Sequence, residues 1–178
     1  GNNVRYFITG KYGTSGSKAY GFTYKNDAGT DRFLFENTTN CNDATEYTGS
    51  KDYDLGSGTW FHVAVTQDMS AGVPEFFVDG ASIGTSVGNT SFPNCGSDYT
   101  IGSISGGGNY FDGLVDDVRV WNDIRTDAEI DDNKCVELVG NEAGLVAYWK
   151  LNNGLLDETS NNNDLTNNNS AVFDTENA

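Results

Sequence analysis

The stretch "GTWFHVAVTQD", Gly58–Asp68, alternates bulky and small residues with the two-residue period of an extended chain. In a strand, Trp60, His62, Ala64 and Thr66 point one way, and Phe61, Val63 and Val65 the other. Six residues on, "PEFFVDGASIG" (Pro74–Gly84) repeats the pattern around Asp79-Gly80, a pair that accepts the positive φ of a type I′ hairpin turn. Two short strands joined this tightly are the signature of antiparallel pairing, and the rest of the chain carries the same rhythm.

Upstream, "VRYFITGKY" (Val4–Tyr12), "AYGFTYKN" (Ala19–Asn26) and "DRFLFEN" (Asp31–Asn37) read as strands. The link "NDAGT" makes the second and third a hairpin. The polar segment from about Asn37 to Gly58 reads as a long loop. Downstream, "DYTIGSIS" (Asp98–Ser105), a Gly-rich turn and "YFDGLVDDVRVW" (Tyr110–Trp121) resume the alternation, as does "GLVAYWKL" (Gly144–Leu151). In that last strand Leu145, Ala147, Trp149 and Leu151 share a face. One helix is expected near 126–133, where Thr126 and Glu129 form a capping box and acidic residues fill the first turn. The fold class is therefore all-β, an antiparallel two-sheet sandwich. With 22 Gly and 2 Pro among 178 residues, the composition supplies the turns this needs.

Acidic residues outnumber basic ones, 26 to 10, for a net charge of −16. Such a surface repels phosphate backbones and anionic lipid, so nucleic acid and membranes are not the expected partners. No run approaches the 18 to 20 or so apolar residues of a membrane span. The first residues are strand-like rather than a signal peptide, so an export signal would lie outside residues 1–178. Cys41 and Cys95 both fall in polar loops and form a reasonable disulfide pair, leaving Cys135 odd; with His62 the single histidine, a zinc site is disfavoured.

The ordered set "GTWFHVAVTQD", "FFVDG", "YTIG", "FDGLVDDVRVWNDIRTDAEI" and "NEAGLVAYWKLNNG" resembles the laminin-G-like domains, relatives of the pentraxins among the concanavalin A-like jelly rolls. The resemblance runs from about Lys11 to Leu151. It implies a jelly-roll sandwich over residues 1–151, short of the roughly two strands with which such domains usually begin. Residues 152–178 are then an Asn-rich C-terminal extension, pairing with the sandwich or with a neighbouring chain. In the order of these segments, "GLVAYWKL" is the closing strand of the domain.

The resemblance also directs attention to calcium and to sugars. The acid-rich loop that holds calcium in pentraxins is reduced here to "SISGGGNYFDG", which argues against a double calcium site of that type. The carboxylate and amide residues left as ligands for Ca2+ are Asn109, Asp112 and Asp116, with Asp27 and Asp31 second. Asp116 earns its place because "GLVDDVRVW" puts it on one face with Leu114, Val118 and Val120, where an acid needs a partner. For a glycan, Tyr99 and Tyr110 offer stacking faces and Asn109 an amide. Trp60, Trp121 and Trp149 belong to the strand pattern.

A catalytic constellation is missing. Glucanases of this fold need two carboxylates on one face of a strand, whereas adjacent Asp116 and Asp117 point to opposite faces. The expected function is a non-enzymatic extracellular or cell-surface adhesion module that recognises glycan or a surface protein. The alternative is a structural subunit that assembles with copies of itself by strand exchange.

Overall fold

The computed structural model describes residues 4–14, 16–27, 29–42, 46–56 and 58–174, without the side chains of positions 27, 46 and 47. The chain divides into two compact units, Gly1–Gly113 and Leu114–Ala178.

The first unit holds two antiparallel sheets. One has five strands in the order β4-β3-β2-β1-β8, formed by β1 (Val4–Tyr12), β2 (Lys18–Asp27), β3 (Thr30–Thr38), β4 (Glu46–Asp52) and β8 (Thr100–Ile101). The other is the meander β5 (Val63–Asp68), β6 (Val73–Val78) and β7 (Ala81–Thr85). Period-two patterning sends one face of each sheet into a shared core. Phe22, Phe33 and Phe35 of the larger sheet pack with Phe76 and Val78 of the smaller, and Phe61, Val63 and Val65 close over them. Phe76 is fully buried, with its ring 6.3 Å from that of Phe22. The opposite face of the larger sheet buries Glu36, which accepts hydrogen bonds from Arg5 and from Thr23 Oγ1.

Both hairpins form where the turn chemistry places them. Asp27 pairs with Thr30 across the β2–β3 turn, and Val78 with Ala81 across Asp79 (φ 50°) and Gly80 (φ 83°). Cys41 and Cys95 are disulfide-bonded, with Cα atoms 5.6 Å apart.

Four strand readings need correction. Trp60, Phe61 and His62 precede β5 instead of belonging to it, and Trp60 is 54% exposed. The cause is the partner's length: Val63 already pairs with Val78, the last residue of β6, so the ladder ends there. His62 N–H instead donates to the Asp79 carboxylate, and Asp79 N–H to His62 O. The long polar loop contains β4, an edge strand that its composition hides. A Cβ on Gly49 would lie 2.6 Å from Val87 O and 2.8 Å from Pro74 Cγ, so the strand fits there only with glycine. "DYTIGSIS" shrinks to Thr100–Ile101 because Gly102 turns at φ 78° and Thr100 Oγ1 donates to Ser103 O. In "GLVDDVRVW" the strand begins only at Val118, since Asp117 has φ 54°.

The second unit pairs β9 (Val118–Trp121) with β10 (Leu145–Trp149), around α1 (Asp127–Asn133). Both halves of the Thr126–Glu129 capping box are present. The Arg119 guanidinium donates to Asn133 O and Val136 O, fastening the helix exit to β9. Tyr148 is fully buried with Leu138 and Leu145 in a small cluster against Trp121. Leu151 lies outside the strand at φ 61°.

The Asn-rich segment after β10 is organised by a polar knot that apolar patterning misses. Asp157 is 8% exposed. One of its carboxylate oxygens accepts from Tyr148 N and Thr159 N; the other accepts from Thr159 Oγ1, Asn163 N and Asn163 Nδ2. Asn161 Nδ2 donates to Val146 O, and Trp149 Nε1 to Asn163 O. Residues 157–163 are thus tied to β10 mainly through side chains, with one backbone bond from Glu158 N–H to Tyr148 O and no strand ladder.

Burial works against ionising Asp157, but the donated N–H and O–H groups outweigh it and hold its carboxyl below the usual value. Its stabilisation is complete above the ordinary aspartate value near pH 4 and is lost as pH falls through the lowered folded value. Asp157→Ala should cost about 3 kcal/mol. Acid titrations followed by Trp149 fluorescence should show an unfolding limb that flattens in this variant.

Candidate functional site

The β2–β3 turn and the exit of β4 border an open cleft of about 450 Å³ at one end of the five-stranded sheet, lined by Asn26, Gly29, Thr30, Asp31, Asp52, Tyr53 and Asp54. Its geometry follows from register. Asn26 faces Asp31 across the hairpin, and Arg32 faces Asp52 across the next ladder, so four polar side chains come to the same sheet end.

Most of the wall residues are held by specific contacts. Asn26 Nδ2 donates to Asp31 Oδ1 at 2.6 Å. Tyr53 N–H donates to Asp31 O at 2.9 Å, turning the chain beyond β4 back along the hairpin. Arg32 Nε lies 3.3 Å from Asp52 Oδ1. Gly56 N–H donates to Asp54 Oδ1 at 2.7 Å. The aromatic ladder of the core runs into the site: the Phe33 ring is 5.2 Å from Tyr24 and 6.4 Å from Tyr53.

Tyr24 is the joint between core and cleft. Its ring packs on the sandwich core, while its hydroxyl accepts from Leu55 N–H at 3.2 Å and bonds the Asp31 carboxylate. Burial raises the phenol above its ordinary value, the Leu55 N–H opposes that rise, and the negative charges of Asp31 and Asp54 add to it. The proton therefore stays on Tyr24 across the neutral range, where it serves Asp31 as a donor. The cleft presents carboxylate acceptors, an amide and a tyrosine ring edge. Those are the groups that bind neutral polyols by hydrogen bonds and ring contact.

The sequence-derived residues fall in three places. Asp31 lines this cleft. Asp27 closes β2, and its side chain lies outside the described residues. Tyr99, Asn109, Tyr110 and Asp112 lie beyond the β1 edge of the sheet, around the short β8. Asn109 O accepts from Phe7 N–H, and Phe111 N–H donates to Gly102 O, so the Gly-rich loop continues the sheet through backbone bonds. Tyr110 is 58% exposed, with its hydroxyl over Gly107. Tyr99 is half-buried; burial pushes its phenol up, against a hydrogen bond with Thr9. Asp112 is exposed.

Asp116 belongs to the second unit and is exposed. The face shared with Leu114, Val118 and Val120 does not form, because the left-handed Asp117 interrupts the extended chain. Partial desolvation and the charges of Asp117 and Glu137 raise the Asp116 carboxyl above its usual value. The partnered acid of the pair is Asp117, bonded by the Tyr148 hydroxyl and by Arg119. Among the described residues, no three His, Cys, Asp or Glu side chains converge so as to hold a metal ion.

Reading the sequence alone missed Asn26, Asp52, Tyr53 and Asp54. The last three lie just where β4 ends, and β4 itself was hidden inside the polar loop. The one available signal was the acidic-aromatic run "DYD" at Asp52–Asp54.

A family model described as the concanavalin A-like lectin/glucanases superfamily matches residues 1–131. No curated protein matches the chain. The 1.50 Å crystal structure of a "putative carbohydrate binding protein" from Bacteroides ovatus is similar at 25% identity and a TM-score of 0.60, over 87% of this chain and 46% of that one. The chain thus spans less than half of that protein. Residues 221–444 of an S-layer domain-containing protein from Clostridium thermocellum are similar at 21% identity and a TM-score of 0.38, over 75% of this chain and 64% of that one.

Tyr24→Phe removes the hydroxyl between Leu55 and Asp31 and leaves the ring in the core. The expected loss of stability is about 1 kcal/mol. Amide exchange should accelerate at Leu55 and Tyr53 while the strand amides of β2 and β3 keep their protection.

Proposed function

The chain belongs to the concanavalin A-like lectin/glucanases superfamily, and from that membership we propose that it is a non-catalytic carbohydrate-binding module whose sugar site is the β2–β3 cleft. The observation that carries this reading is the convergence of Asn26, Asp31, Asp52, Tyr53 and Asp54 on one cavity large enough for a saccharide unit. The similar Bacteroides ovatus structure, named for carbohydrate binding, supports it.

A binding role rather than hydrolysis is supported by how the carboxylates are engaged. Asp31 is bonded by Asn26 and Tyr24, and Asp52 faces Arg32. Those contacts tie both acids to side chains of the chain itself, whereas a glycosidase needs two carboxyl groups free to flank a scissile bond. The Cys41–Cys95 bond supports a secreted or surface location, since disulfides persist in oxidising compartments. No helix among the described residues is long and apolar enough to cross a membrane. Tyr110 with Asn109, on their exposed loop, is the further sugar contact in this reading.

The test is a glycan array probed with the protein and with Asp31→Asn, Tyr53→Ala and Tyr110→Ala. Losing one charged hydrogen-bonding group costs about 1.5 to 3 kcal/mol, which is roughly a 10- to 100-fold loss of affinity. Asp31→Asn and Tyr53→Ala should show it in protein whose folded state is confirmed by circular dichroism. Tyr110→Ala alone abolishing binding would move the site to the Gly-rich loop. Retention by every variant, or no glycan bound at all, would overturn the reading.

A further inference from the structure

The turn that leaves β10, "KLNNGLLDE" (Lys150–Glu158), contains the single Asn-Gly pair in the sequence, Asn153-Gly154. Its backbone is unusual. Leu151 (φ 61°) and Asn153 (φ 60°) both occupy the left-handed region, where a branched residue such as leucine is rarely found. Asn153 N–H donates to Leu151 O at 2.8 Å, closing a tight ring around Asn152. The turn is pinned on both sides. Asn152 Nδ2 donates to Glu137 Oε1 at 2.6 Å, and Asp157 begins the knot that fastens the following residues to β10.

Asn153 itself is not pinned. It is exposed, and among the described residues nothing hydrogen-bonds its side-chain amide or takes the Gly154 N–H. No heavy atom lies within 4 Å of where a Gly154 Cβ would sit, so the nitrogen of Gly154 is shielded neither by its own residue nor by a neighbour. Several other asparagines are held or hidden. Asn37 and Asn89 are buried, Asn161 and Asn163 donate to Val146 O, and Asn167 both donates to and accepts from Ala171.

We propose that Asn153-Gly154 is a site of spontaneous covalent modification, at which the folded chain deamidates and isomerises. The Gly154 amide nitrogen, losing its proton to base, attacks Asn153 Cγ. The new C–N bond closes a five-membered succinimide as the Cγ–NH2 bond breaks and ammonia leaves. Water then adds to either ring carbonyl, giving aspartate or isoaspartate at position 153. No oxidant, reductant or cofactor enters.

Two consequences are local. The product carries one more negative charge, one residue from the Asn152–Glu137 contact. The isoaspartyl link also adds a methylene to the backbone, which lets the doubly left-handed turn relax. The turn therefore favours the lengthened product, and the modification marks the age of the molecule at the joint between β10 and the Asp157 knot.

The experiment holds the intact, folded protein in mildly alkaline buffer and follows it by peptide mapping, beside a sample kept in denaturant. The folded protein should gain one mass unit at Asn153 at least as fast as the denatured one, with a second, equal-mass isoaspartyl peptide. The other asparagines should lag at least tenfold behind. Gly154→Ala should suppress the change without altering the melting temperature, and Asn153→Gln should suppress it in a protein that still folds. Protection of Asn153 in the folded state by tenfold or more relative to denaturant would overturn the proposal, as would conversion first at another asparagine.

Discussion

The packing of Phe22, Phe33 and Phe35 against Phe76 and Val78 is the constraint from which the first unit follows. Two sheets with one apolar face each must bury those faces on one another. Because side chains alternate with period two, fixing those phenylalanines inward fixes every other residue of β2 and β3. Asn26 and Asp31 are then brought opposite each other at the hairpin end, and Glu36 is sent to the other face with Arg5 and Thr23. Truncating Phe76 would cost about 3 to 5 kcal/mol and release both sheets together. The cleft is a by-product of the same register. Its tyrosines stand on the rim of the aromatic core, so site and core share one set of ring contacts.

The second unit obeys a different rule. Its apolar cluster is small, and much of its order comes from hydrogen bonds to a few acidic and basic side chains: Asp157 under the Asn-rich segment, Arg119 under the helix exit, and Asp117 on Tyr148. Burying a carboxylate is tolerable when several donors meet it, and Asp157 has five. Such contacts are local and directional. They hold residues 157–163 in place without a ladder, and they leave the turn at Asn153 outside their reach.

What could be read from the sequence divides along that line. The inward phenylalanines, the Asp79-Gly80 turn and the Thr126–Glu129 cap each announce themselves over a few residues, because a local periodicity or a single turn type dictates them. The laminin-G-like order of segments carried the reading further, to the sandwich. β4 was hidden since an edge strand needs only one partner and no apolar face, and Gly49 is set by the approach of Pro74 and Val87 from far along the chain. The cleft inherited that gap, with Asp31 recognised and Asp52, Tyr53 and Asp54 not. Asp116 was misplaced because one left-handed residue, Asp117, shifts the alternation, and no two-residue pattern reveals that.

The central claim is that sugar is held at the β2–β3 cleft. Backbone amide chemical shifts of the isotopically labelled protein, recorded during titration with an oligosaccharide, locate the ligand without any substitution. The account predicts that the shifts concentrate on Asn26, Thr30, Asp31, Tyr53 and Asp54, with the core strands unmoved. Shifts confined to Asn109, Tyr110 and their Gly-rich loop, with the cleft silent, would contradict it.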